Sequence, residues 1–291
     1  MSTPVVPVFL VHFDAPEWCR SAASSILASV GANVALTVID NGGRPLPGDL
    51  GCTVVSAGRN AGYAGGANLA LERWAEGFPD AEFALIGSHD LHVEPTCVAA
   101  LVRALEEDPR LGVVGPVLTA APRSTGGTWR RWNRRQSFDA EVASAGAPVV
   151  RDWLSGTCLM LRRSCRESVG DLDEGFGSYL EDVDFCLRAG DRGWRVAVVP
   201  GAQASGLGSS SPRSYRLIAE NRLRLLHKRE GRAGLLRGVI EAGARVPGLI
   251  ARGLLGSSPG SAPYRREAAA QIRAVLRLPV LARSWSTDRS T

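Results

Sequence analysis

Short apolar runs alternate with helix-like segments from Val5 to Pro116, and few architectures accept that pattern. Val5 to Val11 reads as a buried strand and Pro16 to about Val30 as a helix. Val34 to Ile39 is a second apolar run, closed by the turn cluster Asp40-Asn41-Gly42-Gly43. A strand at Cys52 to Ser56, a helix from Leu69 to Ala75 and a strand at Phe83 to Gly87 follow. A helix from Pro95 to Glu107 and an apolar run from Gly112 to Pro116 continue the series. The alternation predicts an α/β fold with a mainly parallel, helix-covered sheet. Ligands of such sheets bind at the carboxyl ends of strands. Polar residues gather there: His12 and Asp14, Asp40 and Asn41, Asn60, and Ser88-His89-Asp90.

Asn60-Ala-Gly-Tyr-Ala-Gly-Gly-Ala-Asn68 sits between a strand-like and a helix-like run. Glycines there allow a tight turn and a close backbone approach to a ligand, and a helix start offers N–H groups to an anion. Asparagine amides add donors and acceptors for a sugar, base or phosphate. The segment matches neither the dinucleotide nor the P-loop glycine pattern, and by itself is equally a glycine-rich turn between strand and helix.

Two acidic segments add chemistry. Glu181, Asp182 and Asp184 fall in the opening turn of a helix predicted over 179–192. The positive helix end should lower their pKa values, which suits a carboxylate base; ordinary capping explains each residue equally well. In Leu85-Ile-Gly-Ser-His-Asp-Leu-His-Val-Glu-Pro95, a carboxylate at a strand end is where a divalent ion bridging a diphosphate would sit. His89 and His92 could add nitrogen ligands, or be turn residues only, since such an ion prefers oxygen.

Beyond these segments lies a long Gly/Ser/Arg-rich stretch, Ala120 to Pro148, then two strand-like pieces around Ser155-Gly156-Thr157 and a strand, Trp194 to Val199, stopped by Pro200. Helical patterns cover Tyr215–Arg229, Gly234–Leu255 and Tyr264–Leu278. The division expected is a catalytic domain over 1–212 and a basic helical region over 213–291. Charge divides with it. From Tyr215 onward there are 15 Lys+Arg against 5 Asp+Glu, a net of +10, which leaves −5 on the preceding 214 residues. Leucine and isoleucine stripes flanked by arginines suit an anionic membrane surface, packing against the domain, or a homodimer. No nucleic-acid partner is expected, because no recognition motif accompanies the charge. Six scattered cysteines without a Cys-x-x-Cys pair read as reduced, buried residues. No secretory signal and no transmembrane helix are expected, hence a cytoplasmic protein, lodged peripherally on the inner membrane face if the tail binds lipid.

Taken in order, these motifs resemble family-2 glycosyltransferases in the bacterial rhamnosyltransferase-like branch, which implies the GT-A fold, a Rossmann-like mixed sheet with helices on both faces, here with a C-terminal helical extension. The resemblance runs through Val38-Ile-Asp-Asn41, the Asn60–Asn68 segment, Asp90, and Trp153-Leu-Ser-Gly-Thr-Cys-Leu-Met-Leu-Arg-Arg163. It continues through Gly170-Asp-Leu-Asp-Glu-Gly-Phe-Gly-Ser-Tyr-Leu-Glu-Asp-Val-Asp-Phe-Cys-Leu-Arg188, Gly193-Trp-Arg-Val196 and Ala219-Glu-Asn-Arg222, over about residues 4–230. It implies an inverting enzyme that moves a sugar, such as the deoxyhexose rhamnose, from a dTDP- or UDP-linked donor. The acceptor would be a hydroxyl of a glycan, a lipid-linked glycan or a natural product. Asp182 would be the general base. Asp40, Asn41, Asn60, Gly62, Asn68, Gly156, Thr157 and Glu181, with His12, Asp14, Ser88 and His89, would line the substrate pocket. Asp90 would hold a divalent metal, Mg2+ or Mn2+. Two departures weaken the metal motif. Ser88 stands where the family carries Asn or Asp, and Gly206 where it often carries a histidine. Arginines could neutralise the diphosphate instead: Arg123, Arg130, Arg131, Arg134 and Arg135, or Arg213 and Arg216. The alternatives are a non-catalytic nucleotide-sugar-binding protein with an eroded metal site, and a nucleotidyltransferase on a similar sheet.

Overall fold

β1 (Val5–His12) lies at the centre of the parallel half of the sheet, flanked by β2 (Asn33–Asp40) on one side. The computed structural model describes residues 4–46, 48–119, 125–129, 136–138, 146–206, 212–255 and 262–287. They form two compact units, residues 1–177 with 181–208, and residues 178–180 with 209–291.

In the first unit, α1 (Pro16–Leu27) follows β1, and β3 (Thr53–Ser56) precedes α2 (Gly62–Gly77). Next come β4 (Phe83–Ser88), β5 (Leu91–Val93), α3 (Cys97–Glu107) and β6 (Leu111–Leu118). The short strands β7 (Gly126–Trp129), β8 (Gln136–Phe138), β9 (Val149–Arg151) and β10 (Trp153–Leu154) lead to β11 (Cys158–Arg162) and α4 (Arg163–Val169). The unit closes with α5 (Glu181–Asp191) and β12 (Arg195–Gly206). The main sheet has the order β3-β2-β1-β4-β11-β6-β12-β5, with β9 also paired to β12, while β10, β7 and β8 form a separate small sheet.

The first four strands of that order are parallel, and β11 runs antiparallel between β4 and β6. The sheet is therefore mixed. Residues 158–162 are uninterrupted apolar positions up to Arg162, as a strand covered on both faces requires. Fully buried Phe9, Leu10, Ile39 and Leu85 fill the centre, each worth about 1.5–3 kcal/mol on burial.

Three elements differ from the sequence expectation. Helix α2 starts at Gly62, so the glycine segment is its first two turns rather than a loop before it. Gly66 lets it approach the sheet: a Cβ there would lie 2.6 Å from Val11 Cγ1. Strand β12 does not stop at Pro200. It continues to Gly206 through a register shift between Val199 and Gln203, and that irregularity accommodates the proline. The stretch from Ala120 to Pro148 carries β7 and β8; Arg123, Arg130, Arg131, Arg134 and Arg135 lie outside the described residues.

The second unit contains α6 (Pro212–Leu255), broken at Gly231 (φ 63°), then α7 (Ala262–Leu276) and α8 (Leu278–Thr287). Ala219, Leu223, Ala270, Ala274 and Trp285 form its core. Asn221 donates to the carbonyls of Ser178 and Tyr179, 2.9 and 2.7 Å away. It thereby pins a turn in which Tyr179 and Leu180 both take left-handed φ values, 73° and 70°.

Candidate active site

The carboxyl ends of β1 and β2 lie level, with His12 paired in register to Asp40. His12 is fully buried and meets His89 edge-on, with ring centroids 5.5 Å apart. Burial lowers the pKa of both histidines, and for His12 the neighbouring His89 lowers it further. Both rings are therefore neutral near pH 7 and bring no cationic charge to a diphosphate. Trp18 stacks on His89 at 6.1 Å. Asp14, in a left-handed conformation (φ 52°), pairs at 3.3 Å with exposed Arg44. Asp40 Oδ1 accepts from the Gly42 N–H.

The asparagines divide their work. Asn41, 2 % exposed, donates to the Gly62 carbonyl at 2.6 Å and accepts from the Ala61 N–H at 3.2 Å, fixing the start of α2 to the end of β2. Asn60 accepts from the Gly62 N–H. Gly62 has φ 73°, and a Cβ there would fall on the Gly177 backbone. Asn68 is buried and donates to Leu172 O and Glu174 Oε1 while accepting from the Leu172 N–H. Its amide joins α2 to the segment before α5.

The acids converge through one short path. Asp182 Oδ2 accepts from the Gly156 N–H at 2.6 Å, and its Oδ1 from the Val183 N–H at 2.8 Å. The next residue, Thr157, accepts through its carbonyl from the Ser88 N–H at 3.1 Å. The Ser88 hydroxyl in turn donates to Asp90 Oδ1. Tyr63, within the glycine segment, donates its hydroxyl to Gly156 O and lies in the field of Glu181, Asp182 and Asp90 together. Asp182 and Asp90, far apart in the chain, therefore share one neighbourhood.

Burial raises the pKa of Asp182, although the Gly156 and Val183 N–H groups pull it down. The expected lowering by the helix end is present but outweighed by desolvation. Glu181 is 4 % exposed, its Oε2 has no hydrogen-bond partner among the described residues, and burial with the adjacent Asp182 pushes its pKa well above the usual carboxylate range. Asp184 is a separate case. It pairs with Arg188 at 2.8 Å and is only 1 % exposed, a structural anchor for α5. Tyr63, Trp18 and Arg44 were not singled out from the sequence. Tyr63 lay inside the glycine motif and was legible there, whereas nothing local marks Trp18 or Arg44.

Residues 83–224 match the family described as glycosyl transferase family group 2. The chain is 27% identical over 231 residues to the N-acetylglucosaminyl-diphospho-decaprenol L-rhamnosyltransferase of Mycobacterium tuberculosis, covering 69% of this chain and 75% of that protein. It is a glycosyltransferase, similar to those of family 2. Over a shorter stretch of 67 residues, 23% of this glycosyltransferase and 25% of the relative, it is 35% identical to the Escherichia coli rhamnosyltransferase WbbL. Its fold is GT-A. The mannosyltransferase PcManGT of Pyrobaculum calidifontis, solved with GDP-Man and Mn2+, superposes with a TM-score of 0.59 at 15% identity, over 95% of this chain and 87% of that one.

The glycosyltransferase offers a divalent ion few ligands. Among the described residues no group of three His, Cys, Asp or Glu side chains could close around a metal. The His89 ring nitrogen Nδ1 is turned to Val11 O, 3.3 Å away. A Cβ at Gly206 would lie 2.8 Å from Thr157 Cγ2, so a histidine there would require Thr157 to move. The donor set fits an ion that arrives with a diphosphate and takes Asp90 as a protein oxygen, the usual habit of Mg2+.

Proposed function

We propose that this glycosyltransferase moves a deoxyhexose such as rhamnose, with inversion, from a dTDP- or UDP-linked donor to a hydroxyl of a lipid-linked glycan. The sugar and the acceptor class rest on the rhamnosyltransferases it resembles, the mycobacterial one acting, by its name, on a diphospho-decaprenol carrier. The observation that carries the mechanism is the Asp182 carboxylate, aimed by two backbone N–H groups and raised in proton affinity by burial.

In the reaction the acceptor oxygen attacks the anomeric carbon opposite the diphosphate. The O–C bond forms as the acceptor proton passes to Asp182 and the bond from the anomeric carbon to the phosphate oxygen breaks. The nucleoside diphosphate leaves with the bonding pair. A base whose pKa is lifted toward the working pH takes that proton more readily than an ordinary aspartate, and general-base catalysis as a whole contributes about 10²–10⁴ in rate. Tyr63 and Gly156 hold the base in line, and Asn41 with Asn60 fixes the N-terminal turn of α2 that faces the donor phosphates. A divalent ion, held through Asp90 with Ser88 orienting that carboxylate, would supply positive charge to the departing diphosphate.

The test is transfer from dTDP- and UDP-sugars to a polyprenyl-diphosphate-linked acceptor, with the anomeric configuration of the product read by NMR. Inversion by the wild type and loss of at least about 10²-fold in kcat for Asp182→Asn are expected. Retention of configuration, or equal turnover by the variant, would overturn the reading.

A further inference from the structure

Helix α6 beyond Gly231 packs Leu235, Val239, Ala242 and Leu249 inward, yet carries a second apolar stripe on its outer side. Its exposed positions between 233 and 251 are Ala233, Leu236, Ile240, Gly243, Ala244, Pro247, Gly248, Ile250 and Ala251, without one charge among them. Leu236 and Ile240 are 63% and 62% exposed, and Leu254, about four turns further on, is 76% exposed. The spacing places Leu236, Ile240, Pro247, Ile250 and Leu254 on one stripe of a regular helix, about 27 Å long. The charges of this segment go the other way. Arg237 pairs with Glu230 and Glu241, Arg222 with Glu241, and Arg245 with Glu267. A water-facing helix has the opposite arrangement, so the stripe is built to be covered.

The charge around the stripe says by what. Glu220, Glu230, Glu241 and Glu267 are the acids among the described residues of 212–287; none is exposed, and each is held in an ion pair. Every fully exposed charge among those residues is positive, including Arg232 at one end of the stripe and Arg252, Arg265 and Arg266 at the other. Tyr264 stands 37% exposed beside Arg252, an aromatic of the kind that settles at a membrane interface. We propose that this face of α6 lies in the headgroup region of an anionic phospholipid bilayer, with Leu236, Ile240, Ile250 and Leu254 inserted and the arginines on lipid phosphates. A second copy seated on the same face would bring two basic rims together, which an isologous contact cannot relieve. No helix among the described residues is long and apolar enough to cross a membrane, so this helix would lie in the surface. The proposal does not depend on the sugar-transfer reading, because it concerns the second unit alone.

The experiment is co-sedimentation of the full chain with phosphatidylcholine vesicles, with and without phosphatidylglycerol, without donor or acceptor. Binding should appear with the anionic vesicles and fall as salt is raised. Leu236→Glu with Ile240→Glu should weaken it roughly tenfold or more, and Arg232→Ser with Arg252→Ser by about tenfold, with thermal midpoints unchanged. Should the glutamate pair alter folding, Ile250→Ser with Leu254→Ser tests the same stripe. Equal binding to neutral vesicles, no binding at all, or a wild-type oligomer that the stripe substitutions dissolve would each overturn the proposal.

Discussion

At the scale of single residues, the two neighbouring acids that open α5, Glu181 and Asp182, differ in what they cost the fold. Asp182 spends both oxygens on backbone donors, whereas Glu181 is buried with one oxygen unanswered. An acid whose folded pKa lies above its unfolded one binds its proton more tightly in the native state. Its penalty is absent at low pH and grows as pH rises from the unfolded value, near 4.5 for glutamate, through the raised folded value. Glu181→Gln is therefore expected to melt higher than the wild type at about pH 8, and the gap should close at about pH 4. Differential scanning calorimetry across that range is the check. The same burial predicts that the acid limb of the rate–pH profile reports a pKa above that of an ordinary aspartate. A limb at the ordinary value would mean that a different group takes the proton. The sequence marked both acids through their place at a helix start. Their proton affinity was not legible there, because the local helix field and the burial act in opposite directions and only burial depends on the rest of the chain.

Elements bring these residues to one place, and the glycine segment shows how. Gly62 needs a positive φ and leaves no room for a Cβ against Gly177. Gly62→Ala should destabilise the protein by about 1–3 kcal/mol and raise KM for the donor, measured by urea unfolding and steady-state kinetics. Asn68→Leu should cost about 1–3 kcal/mol, since it strands the Leu172 N–H and carbonyl in a buried site, with kcat affected less than stability. The segment was conspicuous in the sequence, but its form was not. Glycine permits a loop as readily as a tight helix start, and only the sheet beneath Gly66 selects the second. Pro200 taught the converse. Proline ends a regular ladder locally, yet β12 absorbs it in an irregularity because β5 and β6 hold partners on both sides of the break.

Over the whole molecule the metal question becomes one of linkage. With a single carboxylate at the β4 end, Mn2+ alone should move the melting temperature little, while Mn2+ with a nucleoside diphosphate should raise it more than the nucleotide alone. Asp90→Ala should remove that added increment without removing the nucleotide's own shift. The cysteines give a second global check. Cys19, Cys97 and Cys165 are buried with thiols pushed up to about 12, and Cys158 and Cys186 are buried and raised as well. Native protein should show at most one promptly reactive thiol, the half-buried Cys52, and six after unfolding, by titration with a disulfide reagent.

Alternation of strand and helix, the conspicuous glycine segment, the acids that open α5 and the basic C-terminal quarter were all written in local pattern. A side chain's periodicity and its neighbours in sequence suffice for those. What only the tertiary structure decided is non-local. It inserted β11 antiparallel between β4 and β6, and it linked Asp182 to Asp90 through Gly156, Thr157 and Ser88. It paired Arg237 and Arg245 with Glu230, Glu241 and Glu267, and left Leu236, Ile240, Ile250 and Leu254 exposed. Each of these depends on which distant surfaces meet, and desolvation and hydrogen-bond geometry are fixed only when they do.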